Sequence, residues 1–120
     1  MLRIPTADAG MLYGETPEMP MHTLGVLILG RTRHSVFNRM ERQLAERIHL
    51  LPAFRRRAVM DPLALDDAYW IEDPEFALEN HLIHEALPAP GGMRELADYA
   101  GDFAARLLDR SRQLWEMHLL

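Results

Sequence analysis

The sequence contains no cysteine and no lysine. Without thiols there is no disulfide, no thiolate nucleophile and no cysteine-ligated zinc site. Without lysine there is no Schiff-base amine and no P-loop ammonium for a phosphate. Positive charge is scarce as well: 13 basic residues, all arginine, stand against 18 acidic ones, for a net charge of −5. Nucleic acid is therefore not an expected partner, since phosphate binding wants a clustered basic surplus. The one basic run, Arg55-Arg56-Arg57, reads as a solvated helix end. Long apolar runs are missing too. Val26 to Leu29 falls far short of the roughly 20 residues a spanning helix needs, and Asp8 and Glu15 interrupt any signal-peptide-like stretch near the start. These absences predict a soluble, cytoplasmic chain with at most peripheral membrane contact.

What is present is enough apolar material for a core: 48% of 120 residues are hydrophobic, which argues against disorder and suits one small domain or part of a larger one. Pro5, Gly10, Gly14, Pro17 and Pro20 punctuate the first 20 residues, with a helical turn predicted near Thr6 to Tyr13, capped by Thr6 or Asp8. The nearly continuous apolar run from His22 to Leu29, ending at Gly30, predicts a strand buried on both faces. Ser35 is a plausible N-cap for a helix in which Val36, Phe37, Met40, Leu44, Ile48 and Leu51 keep helical spacing, ended by Pro52. Short extended pieces are expected at Arg55 to Val59, Tyr69 to Ile71 and His81 to Ala86. Between the first two, Pro62 to Asp67 reads as a turn. Leu87-Pro88-Ala89-Pro90-Gly91-Gly92 is a loop signal, and a second helix is predicted from about Met93 to Leu108. Trp115, Met117 and Leu119 then alternate with Glu116 and His118, which is the period of a strand. The expected class is mixed α/β without internal repeat or domain boundary over residues 1–120, and the chain stops at Leu120 inside an apolar, strand-like run.

Chemistry-bearing constellations are few. His81 and His84 have metal-ligand spacing only on a helix, with Glu85 as a third ligand. On an extended segment, positions three apart point to opposite faces, so both read as ordinary polar histidines. Ser111, His118 and Asp109 contain the residue types of a nucleophile, base and orienter, but no Gly-x-Ser-x-Gly elbow surrounds Ser111. Gly91-Gly92 could cradle a phosphate at a helix start, yet after Pro-Ala-Pro two glycines more simply make a loop. Asp66-Asp67 and Glu72-Asp73 lie near turns, where carboxylates are solvated, not held in the unlike environments an acid–base pair needs. No residue is assigned as catalytic, cofactor-binding or metal-binding.

Several blocks, taken in order, carry a family pattern. Thr6-Ala7-Asp8-Ala9, Glu15-Thr16-Pro17 and Pro20-Met21-His22 resemble the start of wax ester synthase/diacylglycerol acyltransferase enzymes. Phe54-Arg55-Arg56-Arg57, Pro62-Leu63, Trp70-Ile71-Glu72-Asp73-Pro74-Glu75-Phe76 with His81, and Leu87 to Gly92 with Glu95-Leu96 follow. Leu108-Asp109-Arg110-Ser111-Arg112 with Leu114-Trp115-Glu116 completes the series, which covers essentially the whole chain. One departure is visible: where such enzymes have Pro-Leu-Trp, this chain has Gln113-Leu114-Trp115, which predicts a less rigid entry to the last strand.

The resemblance implies the N-terminal part of a chloramphenicol acetyltransferase-like α/β sandwich. It also implies transfer of an acyl group from acyl-CoA, the co-substrate, to diacylglycerol or a long-chain alcohol, with no prosthetic group. In that family the base is the second histidine of His-His-x-x-x-Asp-Gly, a task suited to imidazole near neutral pH. This sequence contains no His-His pair, so no residue inherits that role. Two expectations follow: the front portion of an acyltransferase from a truncated or split gene, inactive alone, or a non-catalytic interaction or regulatory module pairing with a full-length relative or a separately encoded C-terminal part. Peripheral membrane or lipid-body contact is implied by the family alone.

Overall fold

The computed structural model describes residues 1–120 and contains two small sheets and three α-helices. The first sheet is antiparallel, with strand order β1 (Leu2–Arg3), β3 (Tyr69–Glu72), β2 (Arg56–Val59). Leu2 faces Trp70 across the sheet, Ala58 faces Trp70 from the other side, and Arg56 faces Glu72. The second sheet is a parallel pair, β4 (Leu82–His84) and β5 (Met117–Leu119), in which Ile83 registers with His118. A parallel pair cannot be closed by a tight turn, and here the crossover carries α3 (Met93–Ala104). The mixed α/β class expected from the sequence is the class found.

α1 (Thr6–Gly14) forms where the turn near Thr6 was expected, but its N-cap is Pro5 and no side chain caps it. Its first main-chain bond runs from the Ala9 N–H to the Pro5 carbonyl at 2.9 Å. α2 (Val36–Arg47) is capped as its sequence predicts, the Ser35 hydroxyl accepting the Asn38 N–H at 3.2 Å. It tightens into a 3₁₀ turn over Ile48–Leu50, and Pro52 both ends it and starts a second turn, Pro52–Arg55. α3 stops at Ala104, four residues short of the periodic pattern. At its start Glu95 Oε2 accepts the Gly92 N–H at 2.8 Å. That carboxylate fills the place a phosphate would take, so the Gly91-Gly92 loop is an ordinary helix entry.

The turn between β2 and β3 has an organiser that composition does not single out. The Asp61 carboxylate accepts the N–H groups of Leu63, Leu65 and Asp66 at 3.2, 2.7 and 3.2 Å. The Leu63 and Leu65 bonds chiefly hold its acid below the ordinary aspartate range. Ala64 takes a positive φ of 53° inside this turn, a conformation the surrounding bonds impose on a residue with a Cβ.

The strand expected over His22 to Leu29 is not formed. Residues 20–34 lie outside every helix and strand, and no hydrogen bond reaches the main chain of residues 22–31. Leu24, Val26, Leu27, Ile28 and Leu29 are all exposed. Neither sheet pairs with this segment, so the pattern that specifies a buried strand is not met here by a covering edge.

Five residues are fully buried: Ile4, Ala68 and Leu82, with the polar His81 and Gln113. The radius of gyration is 16.5 Å and the extents are 51 × 35 × 19 Å, against about 14 Å for a compact domain of this length. The accessible surface of 8918 Å² likewise exceeds the roughly 6600 Å² of a compact monomer of this mass. The molecule is an open slab, and each of its buried apolar side chains carries a large share of its stability. Ile4, fixed by its N–H to the Ala68 carbonyl at 2.8 Å, is the clearest case. Ile4→Ala is expected to cost about 2–4 kcal/mol, read as a lower urea midpoint at unchanged slope.

Candidate functional site

The most enclosed polar assembly joins the two sheets. His81, ending the 3₁₀ turn Leu78–Asn80, is 2% exposed, and Gln113 is 4% exposed. His81 Nδ1 lies 2.8 Å from the Trp115 carbonyl oxygen and Nε2 lies 3.0 Å from Gln113 Oε1. The Gln113 amide nitrogen donates to Asp73 Oδ2 at 2.8 Å and to the Arg55 carbonyl at 3.2 Å. Those two bonds fix which end of the amide faces the histidine. The imidazole is stacked between Trp115, at 4.6 Å and 18°, and Phe76, at 5.4 Å and 16°. Trp115 itself donates from Nε1 to the Phe54 carbonyl at 2.9 Å. One glutamine thus ties the entry to β2, the exit of β3, the entry to β4 and the approach to β5. The expectation of a looser entry at Gln113 is corrected: the amide supplies hydrogen bonds that a proline could not.

A second assembly secures α1. Arg110 donates to Glu15 Oε1 at 3.0 Å and to the Leu12 carbonyl. Glu15 Oε2 accepts the Met21 N–H at 2.8 Å and lies 4.0 Å from His22 Nδ1. Burial alone would raise the Glu15 acid. The Met21 N–H, the Arg110 guanidinium and His22 outweigh it and hold the group below its usual 4.5. Beside this cluster an open cleft of about 460 Å³ is lined by Tyr13, Arg57, Met60, Arg110 and Leu114 among others.

A third assembly sits on β5. The Tyr99 hydroxyl from α3 meets His118 Nδ1, and His118 Nε2 lies 2.9 Å from Glu116 Oε2. Phe103 packs 4.0 Å from the same ring. Burial, with the neighbouring Glu85 carboxylate, pushes the Tyr99 phenol up to about 12, so it serves as a neutral hydrogen-bond donor and not as a phenolate nucleophile. The sequence reading missed this trio because its members lie on different elements.

The constellations weighed in the sequence are dispersed. His81 spends both ring nitrogens inside the bridge, while His84 stacks on Phe37 of α2 at 4.5 Å. Their rings serve packing and do not converge on a common ligand. Ser111 turns back on Asp109, its hydroxyl donating at 2.6 Å and its N–H at 2.9 Å, while His118 is engaged by Tyr99 and Glu116. Arg55 and Arg56 of the basic run both reach Glu72, at 3.2 and 3.8 Å, so two of the three arginines share one carboxylate. Arg3 pairs with Asp67 at 2.8 Å. No helix is long and apolar enough to cross a membrane.

The whole is a βαβ unit bridged to a small antiparallel sheet. It superposes on the solved wax ester synthase/diacylglycerol acyltransferase from Marinobacter aquaeolei VT8 with a TM-score of 0.75 and 30% identity, over 99% of this chain and 29% of that one. The pattern that defines the wax ester synthase/diacylglycerol acyltransferase catalytic domain matches residues 4–120. A Mycobacterium tuberculosis H37Rv protein named as a diacylglycerol O-acyltransferase is 37% identical over all of this chain and 24% of its own length. A second from that strain is 38% identical over 97% of this chain and 25% of itself. The chain belongs to the wax ester synthase/diacylglycerol acyltransferase family, and it spans about a quarter of the length of these relatives.

Removing the Gln113 amide while its partners stay buried leaves His81, Asp73 and the Arg55 carbonyl short of hydrogen bonds. Gln113→Ala should therefore cost about 2–3 kcal/mol, measured by urea denaturation. Because Glu15 is more acidic folded than unfolded, its contribution is complete above about pH 4.5 and is lost as pH falls through the lowered folded value. Glu15→Gln should lower the thermal midpoint at pH 7 and narrow that gap as the buffer is taken below pH 4.5.

Proposed function

We propose that the chain is the N-terminal portion of an acyl-CoA-dependent O-acyltransferase acting on diacylglycerol or a long-chain alcohol, a single unit over residues 1–120 without a catalytic residue of its own. The observation that carries this reading is the family match over residues 4–120 in a sequence that contains no His-His pair. The three polar assemblies support it from the other side: each is used up in joining one element to the next. Their task is to hold a scaffold, and the base, the second histidine of His-His-x-x-x-Asp-Gly, comes from the complementary portion of a family chain. There its imidazole takes the acceptor's hydroxyl proton as the oxygen attacks the thioester carbon, and as the C–S bond breaks the imidazolium returns that proton to the departing CoA thiolate; such general-base assistance contributes a factor on the order of 10²–10⁴. Acyl-CoA and the acceptor alcohol are substrates of that combined enzyme. Contact with a lipid surface, where the acceptor resides, belongs to it as well.

The purified chain, incubated with palmitoyl-CoA and dioleoylglycerol or hexadecanol, is expected to form no triacylglycerol or wax ester above the protein-free background. Co-expression with the part of the Marinobacter enzyme that lies outside the matched region should restore product. Turnover by the chain alone would overturn the reading of a catalytically silent portion.

A further inference from the structure

We propose that the cleft between α1 and β2 binds a singly charged amphiphilic anion. Its oxyanion head is held by Arg57 and Arg110, and its apolar chain lies along Leu12, Val59, Met60 and Leu114. A fatty carboxylate and a phosphodiester lipid both have this chemistry.

Arg57 is the member of the basic run left over. Arg55 and Arg56 share Glu72. Arg57, next along β2, alternates to the other face of the strand. It is partly buried in the cleft wall and makes no ion pair. Arg110 turns Nη2 to the Leu12 carbonyl and to Glu15, but its Nη1 meets only the Met60 sulfur at 3.8 Å, and a thioether is a weak acceptor. The wall thus presents guanidinium N–H groups without an oxygen to receive them. A partly desolvated cation of this kind is stabilised by an oxyanion, whose charge-assisted bonds are the strong ones.

The other polar groups of the wall are already occupied, and they set the charge the cleft accepts. The Tyr13 hydroxyl donates to the Asp61 carbonyl at 3.3 Å, which ties α1 to the turn after β2. The Asp61 carboxylate accepts three N–H groups of its own turn and pairs with neither arginine. It remains a negative charge in the same wall, while Arg110 is balanced by Glu15. A monoanion therefore suits the site better than a dianion or a polyphosphate, which Asp61 would repel more strongly. The volume of about 460 Å³ falls in the range of small-ligand sites, roughly 300–1,000 Å³. A bare anion would leave the apolar part of the wall wet, and a neutral alcohol would leave the guanidinium groups unanswered. An amphiphile with one negative charge answers both.

Calorimetric titration of the full chain, with ¹H–¹⁵N NMR of the arginine Nε–H signals, tests the site. The probes are octanoate, dihexanoylphosphatidylglycerol below its micelle concentration, 1-octanol and inorganic phosphate. At least one of the two anionic amphiphiles should bind at least about tenfold more tightly than 1-octanol or phosphate, and should shift the Arg57 and Arg110 signals. Which of the two binds better identifies the head as carboxylate or phosphodiester. Arg57→Gln should weaken that binding at least about tenfold. Arg94→Gln, which removes an exposed arginine of α3 outside the cleft, should leave it unchanged. Circular dichroism and the urea midpoint report whether Arg57→Gln keeps its fold; if it does not, the signal shifts in the parent chain decide. Binding of neither anionic amphiphile overturns the proposal. So does equal affinity for 1-octanol or for phosphate, or a ligand-induced shift confined to residues 24–29.

Discussion

The structure depends on a buried amide. Gln113 reaches from the turn after α3 into the seam between the two sheets, where the Arg55 carbonyl, the Asp73 carboxylate and the His81 imidazole converge on it. Neither sheet is large enough to stand alone, one having three short strands and the other two, and only five residues are fully buried. With so little apolar core, a buried polar network in a low-dielectric seam takes over part of the task of fixing how the pieces sit. The flanking rings of Phe76, His81 and Trp115 form one stack, so the network is also roofed by apolar surface that keeps water from competing for its bonds.

The same economy explains what is left unsatisfied. Arg110 and Glu15 fasten α1, and Tyr99 with His118 fastens α3 to β5, so these two helices each have a polar tie. Residues 23–31 make no hydrogen bond to the rest of the chain. Two relatives of this family are about four times as long as this chain, and the exposed run has the two-sided apolar pattern of a covered strand. Local polar ties hold α1, α3 and the two sheets while the apolar run of residues 24–29 stays exposed.

Much of this was legible in the residues. Ser35 followed by a 3.6-residue apolar repeat specifies α2 because capping and periodicity are local, and the family blocks from Thr6 to Trp115 point to the class that the fold and the relatives establish. Where the decisive partners are distant in sequence, the reading failed. The run from His22 to Leu29 has a strand's composition, but whether a strand forms depends on a neighbouring edge that composition cannot supply. Gln113 looked like the loss of a stiffening proline, since nothing local shows that His81, Asp73 and Arg55 meet there across separations of 32, 40 and 58 residues. The Tyr99–His118–Glu116 trio was hidden for the same reason. Asp61 could have been found, because an aspartate heading Asp-Pro-Leu-Ala-Leu is a familiar acceptor for following N–H groups.

The bridge is tested most directly by a double-mutant cycle between His81 and Gln113. Stabilities of the parent, His81→Ala, Gln113→Ala and the double variant should be measured by urea denaturation under one set of conditions. If the two side chains form one network, the second substitution costs much less once the first is made, and the coupling is about 1–3 kcal/mol. Losses that add within about 0.5 kcal/mol would show that the two residues act independently and would contradict the bridge as the constraint on which the structure depends.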